Sequence, residues 1–147
     1  MKHGSDLDGL LGYRLQMANL LAINDARDAL AEQGITPAKL TALLLIRANP
    51  GCDQTTLGRA LMINRSGAMK IVNFLEEKGL IERRPGRNRR TNALHLLPDG
   101  HGRLEQMLAR LQEADARLSE QLTPGERDTL FRLLGKLGRA RAKQAAT

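Results

Sequence analysis

Residues 64–78 read NRSGAMKIVNFLEEK, and the reading of this stretch decides the fold. Ala68, Ile71, Val72 and Leu75 recur at i, i+3, i+4 and i+7, the spacing that lines one stripe of a helix for burial. The same helix turns Arg65, Ser66, Met69, Lys70 and Asn73 outward. Asn64 stands where an N-cap is wanted, because its side-chain oxygen can accept from the free amides of the first turn. At the other end Gly79 follows Glu76, Glu77 and Lys78 and can take the left-handed conformation that closes a helix.

Immediately downstream, residues 80–84 (LIERR) and 92–96 (NALHL) are short extended runs on either side of PGRNRRT at 85–91. A Pro-Gly, arginine-dense tip between two such runs predicts a hairpin that follows the helix at once. Helix plus hairpin is a winged helix-turn-helix. A helix showing Arg, Ser, Lys and Asn from its first three turns suits a DNA major groove, where those groups meet base edges and neighbouring phosphates.

Working outward, Asp53 caps a short helix to Leu61 that is expected to carry Leu57, Ala60 and Leu61 inward, with Met62-Ile63 as the turn into Asn64. Thr36-Pro37 reads as an N-cap followed by proline in the first helical position, opening a helix on Leu40, Leu43, Leu44 and Ile46 that stops at Asn49-Pro50-Gly51. Before it, Leu7 to about Glu32 reads as one long helix closed by Gly34. After the hairpin, Pro98 to about Gln121 carries Leu104, Leu108, Leu111, Leu118 and Leu122 on one side. Thr123-Pro124-Gly125-Glu126 then combines N-cap, first-position proline and capping-box glutamate. The last helix uses Leu130, Phe131, Leu133, Leu134 and Leu137 and is expected to fray into a mobile basic tail at 139–143.

The expected fold is therefore mainly α, with a small two- to three-stranded wing: a winged helix-turn-helix at 36–97, and a helical dimerisation domain from 1–35 and 98–147. The terminal helices carry more apolar surface than a monomer would cover. Pairing them about a two-fold axis would bury it and set two recognition helices roughly 34 Å apart, one DNA turn.

A formal net charge of +7 favours a polyanionic partner, and Arg83, Arg84, Arg87, Arg89 and Arg90 concentrate that charge at the wing. Tyr13, Phe74 and Phe131 are the only aromatic residues, too few for modules that stack single-stranded RNA bases. The single cysteine, Cys52, excludes an intrachain disulfide and reads as an inert loop thiol, lacking a resolving partner and basic neighbours. His3, His95 and His101 show no metal-ligand spacing, so no metal and no cofactor are expected. There is no serine-histidine-aspartate set and no glycine-rich phosphate loop to support an enzyme. No apolar run approaches a membrane span and no secretory leader is evident, so a cytoplasmic location is expected.

From QTTLGRALMINRSGAMKIVNFLEEKGLIERRPGRNRRTNALHLLPDG, the chain resembles the MarR (multiple antibiotic resistance regulator) transcription factors over nearly its whole length, down to the Leu-x-Leu-x-Pro-x-Gly run after the wing. The resemblance implies a homodimer that binds double-stranded DNA at a pseudo-palindromic operator, usually as a repressor, and is released by a small aromatic or phenolic acid. By position it implies DNA contacts from Asn64, Arg65, Ser66, Lys70 and Asn73 on the recognition helix. Thr55 and Thr56 would hold phosphates, and the wing arginines Arg87, Arg89 and Arg90 would reach the minor groove. It places an effector near Tyr13, Arg14, Met17, Leu43, Arg47 and His101, with an arginine pairing a carboxylate and Met17 and Leu43 sandwiching a ring. Two departures stand out: Asn88 where the family has an acid bracing the wing arginine, and Leu97 where it often has a capping Thr.

Each assignment has a plainer alternative. Arg14 and Arg47 can equally pair with Asp or Glu on neighbouring helices, Tyr13 and Met17 can be core, and His101 an ordinary helix residue. For the whole chain, the alternative is an architectural protein that binds DNA without sequence preference, for which basic residues spread over the surface would be expected.

Overall fold

The computed structural model describes residues 5–86 and 92–144, with side chains described from 6 to 137. The wing tip, with Arg87, Asn88, Arg89 and Arg90, lies outside the described residues. Among these residues seven α-helices and one hairpin follow in the order α1 (Ser5–Asp8), α2 (Leu11–Leu30), α3 (Pro37–Ala48), α4 (Gln54–Ala60), α5 (Arg65–Glu77), β1 (Ile81–Pro85), β2 (Asn92–Leu96), α6 (Pro98–Leu118) and α7 (Pro124–Gln144). This is the winged helix-turn-helix set among long helices.

The N-terminal helix is not continuous. It breaks at Gly9 and Leu10, and its far end tightens into a 3-10 turn, Ala31–Gln33, that Gly34 closes at φ 61°. Leu30, at the end of α2, is fully buried and starts the core. Around it pack Ile35, Leu40, Leu43 and Ile46 from the α3 region, Leu57 from α4, Val72 and Leu75 from α5, Leu80, Ile81 and Leu94 from the wing, and Leu104 and Met107 from α6. One core thus runs across the expected domain boundaries at 35 and 98.

The wing pairs antiparallel from Ile81 opposite Leu96 to Pro85 opposite Asn92. A third strand is reduced to one bridge: Gly51 N donates to Leu94 O at 2.9 Å and Leu94 N to Cys52 O at 2.9 Å. Cys52 is therefore a half-buried sheet residue rather than a loop thiol. Burial, and secondarily the adjacent Asp53 carboxylate, push its thiol pKa up, away from the reactive thiolate.

The Leu-x-Leu-x-Pro-x-Gly run acquires a physical meaning here. Leu97 N donates to Leu80 O at 3.0 Å, which lays the first turn of α6 on the end of α5. A Cβ on Gly100 would sit 2.0 Å from Leu80 O, so only glycine fits. From that anchor α6 packs along α2, burying Leu104, Met107 and Ala114 against a face that includes Ala26 and Leu30.

The α7 start forms the reciprocal capping box, with Thr123 N donating to Glu126 Oε2 at 2.8 Å and Glu126 N to Thr123 Oγ1 at 3.3 Å. The helix continues through Gln144, so the basic segment expected to fray has a helical backbone. Leu130, Phe131, Leu133, Leu134 and Leu137 on α7, and Leu11, Leu15, Leu20 and Leu21 on α2, are exposed. No described helix is long and apolar enough to cross a membrane.

Candidate nucleic-acid interface

Two helices build the interface, and each begins on a side-chain cap. Asp53 Oδ1 accepts from Thr56 N at 2.7 Å at the head of α4, and this donated hydrogen bond is the main reason its carboxyl pKa is lowered. Thr55 and Thr56 stand exposed on that first turn. Leu57 and Gly58 face inward, whereas Ala60 is exposed rather than inward as its position suggested. Gly58 is where α4 meets α5: a Cβ there would lie 3.1 Å from Ala68 Cβ, so the helices cross nearly backbone to backbone.

The turn between them places Met62 at φ 54°, a left-handed conformation rare outside glycine, with the side chain 91% exposed. Ile63 N donates back to Gly58 O at 3.0 Å and Asn64 resumes extended geometry. Asn64 Oδ1 then accepts from Gly67 N at 2.8 Å and α5 begins. Ala68, Val72 and Leu75 are buried, with Ile71 half-buried, while Arg65, Ser66, Met69, Lys70 and Asn73 are exposed on the opposite face. The helix ends with Gly79 at φ 65°, where Gly79 N donates to Glu76 O at 2.9 Å and Leu80 N to Leu75 O at 3.0 Å. This paired C-terminal closure aims β1 back along α5.

Two residues missed by the sequence reading join this surface. Arg59, one helical turn beyond Thr55, lines a small cleft of about 140 Å³ with Gln54, Thr55 and Arg65. The i, i+4 spacing from Thr55 was the available signal. Arg83, grouped above only with the wing charge, reaches back from β1: Nη2 donates to Asn73 Oδ1 at 2.5 Å and Nη1 pairs with Glu76. Only the chain reversal at Gly79 brings these groups together.

Residues 33–91 match the sequence model of the MarR family. A regulatory protein described as putative for the hcr operon of Thauera aromatica is 39% identical over 143 residues, covering 93% of this chain and 83% of that one. The chain belongs to the MarR family. Among solved structures, the transcriptional repressor CouR bound to a 23-mer DNA duplex superposes with a TM-score of 0.88 at 31% identity, over 94% of this chain and 99% of that one. CouR bound to p-coumaroyl-CoA gives 0.84 at 31% identity, over 95% and 99%. This MarR-family chain is thus a DNA-binding transcriptional regulator by kind, a non-enzymatic kind of function.

The six residues suggested as an effector site are not one exposed cluster. Leu43 is fully buried in the core and offers no surface to sandwich a ring in this conformation. Arg47 donates to Glu105 Oε1 at 2.5 Å, and Arg14 pairs with Asp8 at 3.3 Å while donating from Nε to the Asp8 carbonyl at 3.0 Å. The ion-pair alternatives for both arginines are thus realised in this structure. Tyr13 is half-buried, and Met17 and His101 are exposed on α2 and α6. A larger apolar groove of about 570 Å³ lies elsewhere, between α2, the end of α6 and α7, with Leu15, Leu21, Leu118, Leu130, Phe131 and Leu134 in its walls.

Proposed function

We propose that this MarR-family protein is a cytoplasmic, homodimeric repressor that binds a pseudo-palindromic operator and releases it when a small aromatic effector binds. The observation that carries the reading is the outward face of α5, where Arg65, Ser66, Lys70 and Asn73 are all exposed on a helix anchored by Ala68, Val72 and Leu75. Asn64, Thr55 and Thr56 flank that face; Arg87, Arg89 and Arg90, which lie outside the described residues, are proposed as minor-groove contacts on the strength of the family resemblance alone. Residues 36–97 serve as the DNA-binding lobe, with 1–35 and 98–147 as the dimerisation lobe.

Support for the dimer comes from the leucine-rich faces of α2 and α7, which in one chain leave Leu21 60% and Phe131 57% exposed. Apolar patches of this kind are characteristic of an interface. A second copy fitted into the α2–α6–α7 groove would cover them.

For the effector there are two readings. One is a free aromatic or phenolic acid held near Arg14, Arg47, Met17, Tyr13 and His101, without the buried Leu43. The other is an aromatic acyl group carried as a coenzyme A thioester, supported by the likeness to CouR bound to p-coumaroyl-CoA.

A mobility-shift assay on the DNA upstream of the protein's own gene, run beside random DNA, tests the operator reading. Selective retardation relieved by p-coumarate or p-coumaroyl-CoA supports it. Equal affinity for both DNAs would instead favour the architectural alternative. Light scattering that returned a monomer would remove the two-fold arrangement.

A further inference from the structure

Resting on the reading of α5 as the groove-reading helix, we infer that Arg83 is a specificity-determining positioning residue: it engages the amide oxygen of Asn73 and leaves Nδ2 as the free group, so that Asn73 favours guanine over adenine.

An asparagine free on both sides of its amide pairs with adenine, accepting from N6 through Oδ1 and donating to N7 through Nδ2. Here one lone pair of Oδ1 is taken, and the guanidinium beside the other competes with the N6 amino group of adenine for the same oxygen. Arginine has no acceptor, so the amide atom facing Arg83 Nη2 at 2.5 Å must be the oxygen, and Nδ2 points away from it. The guanidinium is itself fixed, because its Nη1 is bound to Glu76 one turn further along the same helix, and its side chain is only 22% exposed. Strand alternation puts Arg83 on the same side of β1 as the buried Ile81, the side against α5.

The rest of the face has the same polarity. Asn64 Oδ1 is occupied by Gly67 N, Arg65 and Lys70 only donate, and no acidic residue lies in the first turn of α5. Ser66 supplies a hydroxyl that can accept as well as donate. A surface made almost entirely of donors matches guanine, whose major-groove edge offers two acceptors, N7 and O6, better than thymine, which offers O4 alone beside its methyl group. It mismatches cytosine, whose N4 only donates, and leaves the N6 donor of adenine unanswered.

The test is a binding series on all four bases at each position of the half-site, measured for the wild type, Asn73→Ala, Arg83→Met, Arg83→Lys and the Asn73→Ala/Arg83→Met double variant. Asn73→Ala identifies the position that Asn73 reads by flattening its preference. At that position the wild type should favour guanine over adenine by roughly tenfold. Arg83→Met should free Oδ1 and bring adenine level with or above guanine there, leaving other positions unchanged. Arg83→Lys, which retains a donor, should restore part of the guanine preference, and Arg83→Met should add no further change at that position in the Asn73→Ala background. Circular dichroism on each variant separates lost preference from lost fold. Should Arg83→Met lower affinity uniformly while guanine stays preferred, or should the wild type prefer adenine there, the inference is overturned though specific binding stands. Absence of any base preference in the wild type overturns the regulator reading itself.

Discussion

Arg47 Nη1, in the last turn of α3, donates to Glu105 Oε1 of α6 at 2.5 Å, joining the helix beneath the helix-turn-helix to one of the long helices that flank it. The pair is largely exposed on the Glu105 side, so its contribution to stability is small, about 0.5 kcal/mol. Its interest lies in exchange, because a carboxylate ligand could take the place of Glu105 on the same guanidinium. Arg47→Ala is predicted to change the melting temperature of the free protein little, and to abolish the upward shift caused by an effector acid. A variant that keeps the full ligand shift removes Arg47 from the effector site.

Gly100 and Leu80 set a second prediction. Since a Cβ at position 100 would meet the Leu80 carbonyl at 2.0 Å, Gly100→Ala must displace the first turn of α6 from the end of α5. The expected cost is about 3 kcal/mol, at the upper end for overpacking, read as a lowered urea midpoint. Gly102→Ala, where nothing lies within 4 Å of the added carbon, should be neutral or slightly stabilising.

The Asp53 cap predicts a pH dependence with a definite sign. Its carboxyl pKa is lowered in the folded chain, chiefly by the Thr56 amide, from an ordinary 3.8. The stabilisation is therefore present above that ordinary value and is lost as pH falls through the lower folded value. Asp53→Asn should keep most of the cap at neutral pH and lose this acid-limb dependence. Asp53→Ala should cost about 1 kcal/mol at pH 7, measured by chemical denaturation. Identical acid limbs for wild type and Asp53→Asn would contradict the assignment.

Met62 carries a left-handed backbone that costs a non-glycine residue about 1 kcal/mol. Its side chain is almost wholly in solvent, so little packing is lost on removal. Met62→Gly should raise the melting temperature by a few degrees, the relieved turn strain exceeding the cost of the added freedom of the unfolded chain. A fall would show that the added freedom of the unfolded chain outweighs the strain relieved at the turn.

Much of this architecture was legible in local sequence. The buried triplet Ala68, Val72 and Leu75, the caps at Asp53 and Asn64, the Thr123–Glu126 box and the closing glycines Gly34 and Gly79 all act within a few residues of themselves. Interactions of that range are written in spacing, which is why the helices and the outward face of α5 could be read directly.

Other features depended on how distant segments meet. Leu43 and Arg47 sit one helical turn apart on α3, yet one is sealed in the core and the other reaches Glu105 across to α6. No periodicity distinguishes a core leucine from a pocket leucine, because the difference is made by which helix lies opposite. Ala60 pointed outward because Gly58, not Ala60, is where α4 touches α5. Arg83 looked like one more wing charge until the reversal at Gly79 carried it against Asn73 and Glu76. Hydrophobic spacing and capping chemistry by themselves determined which segments are helical, where α3, α4, α5 and α7 start, and which side of α5 faces water, since those choices are settled by neighbours along the chain, whereas the break at Gly9 and Leu10 was not foreseen. Tertiary structure alone decided the partners of Arg47 and Arg83 and which side of the Asn73 amide is engaged, since these are contacts between separate elements whose residues carry no mark of one another in sequence.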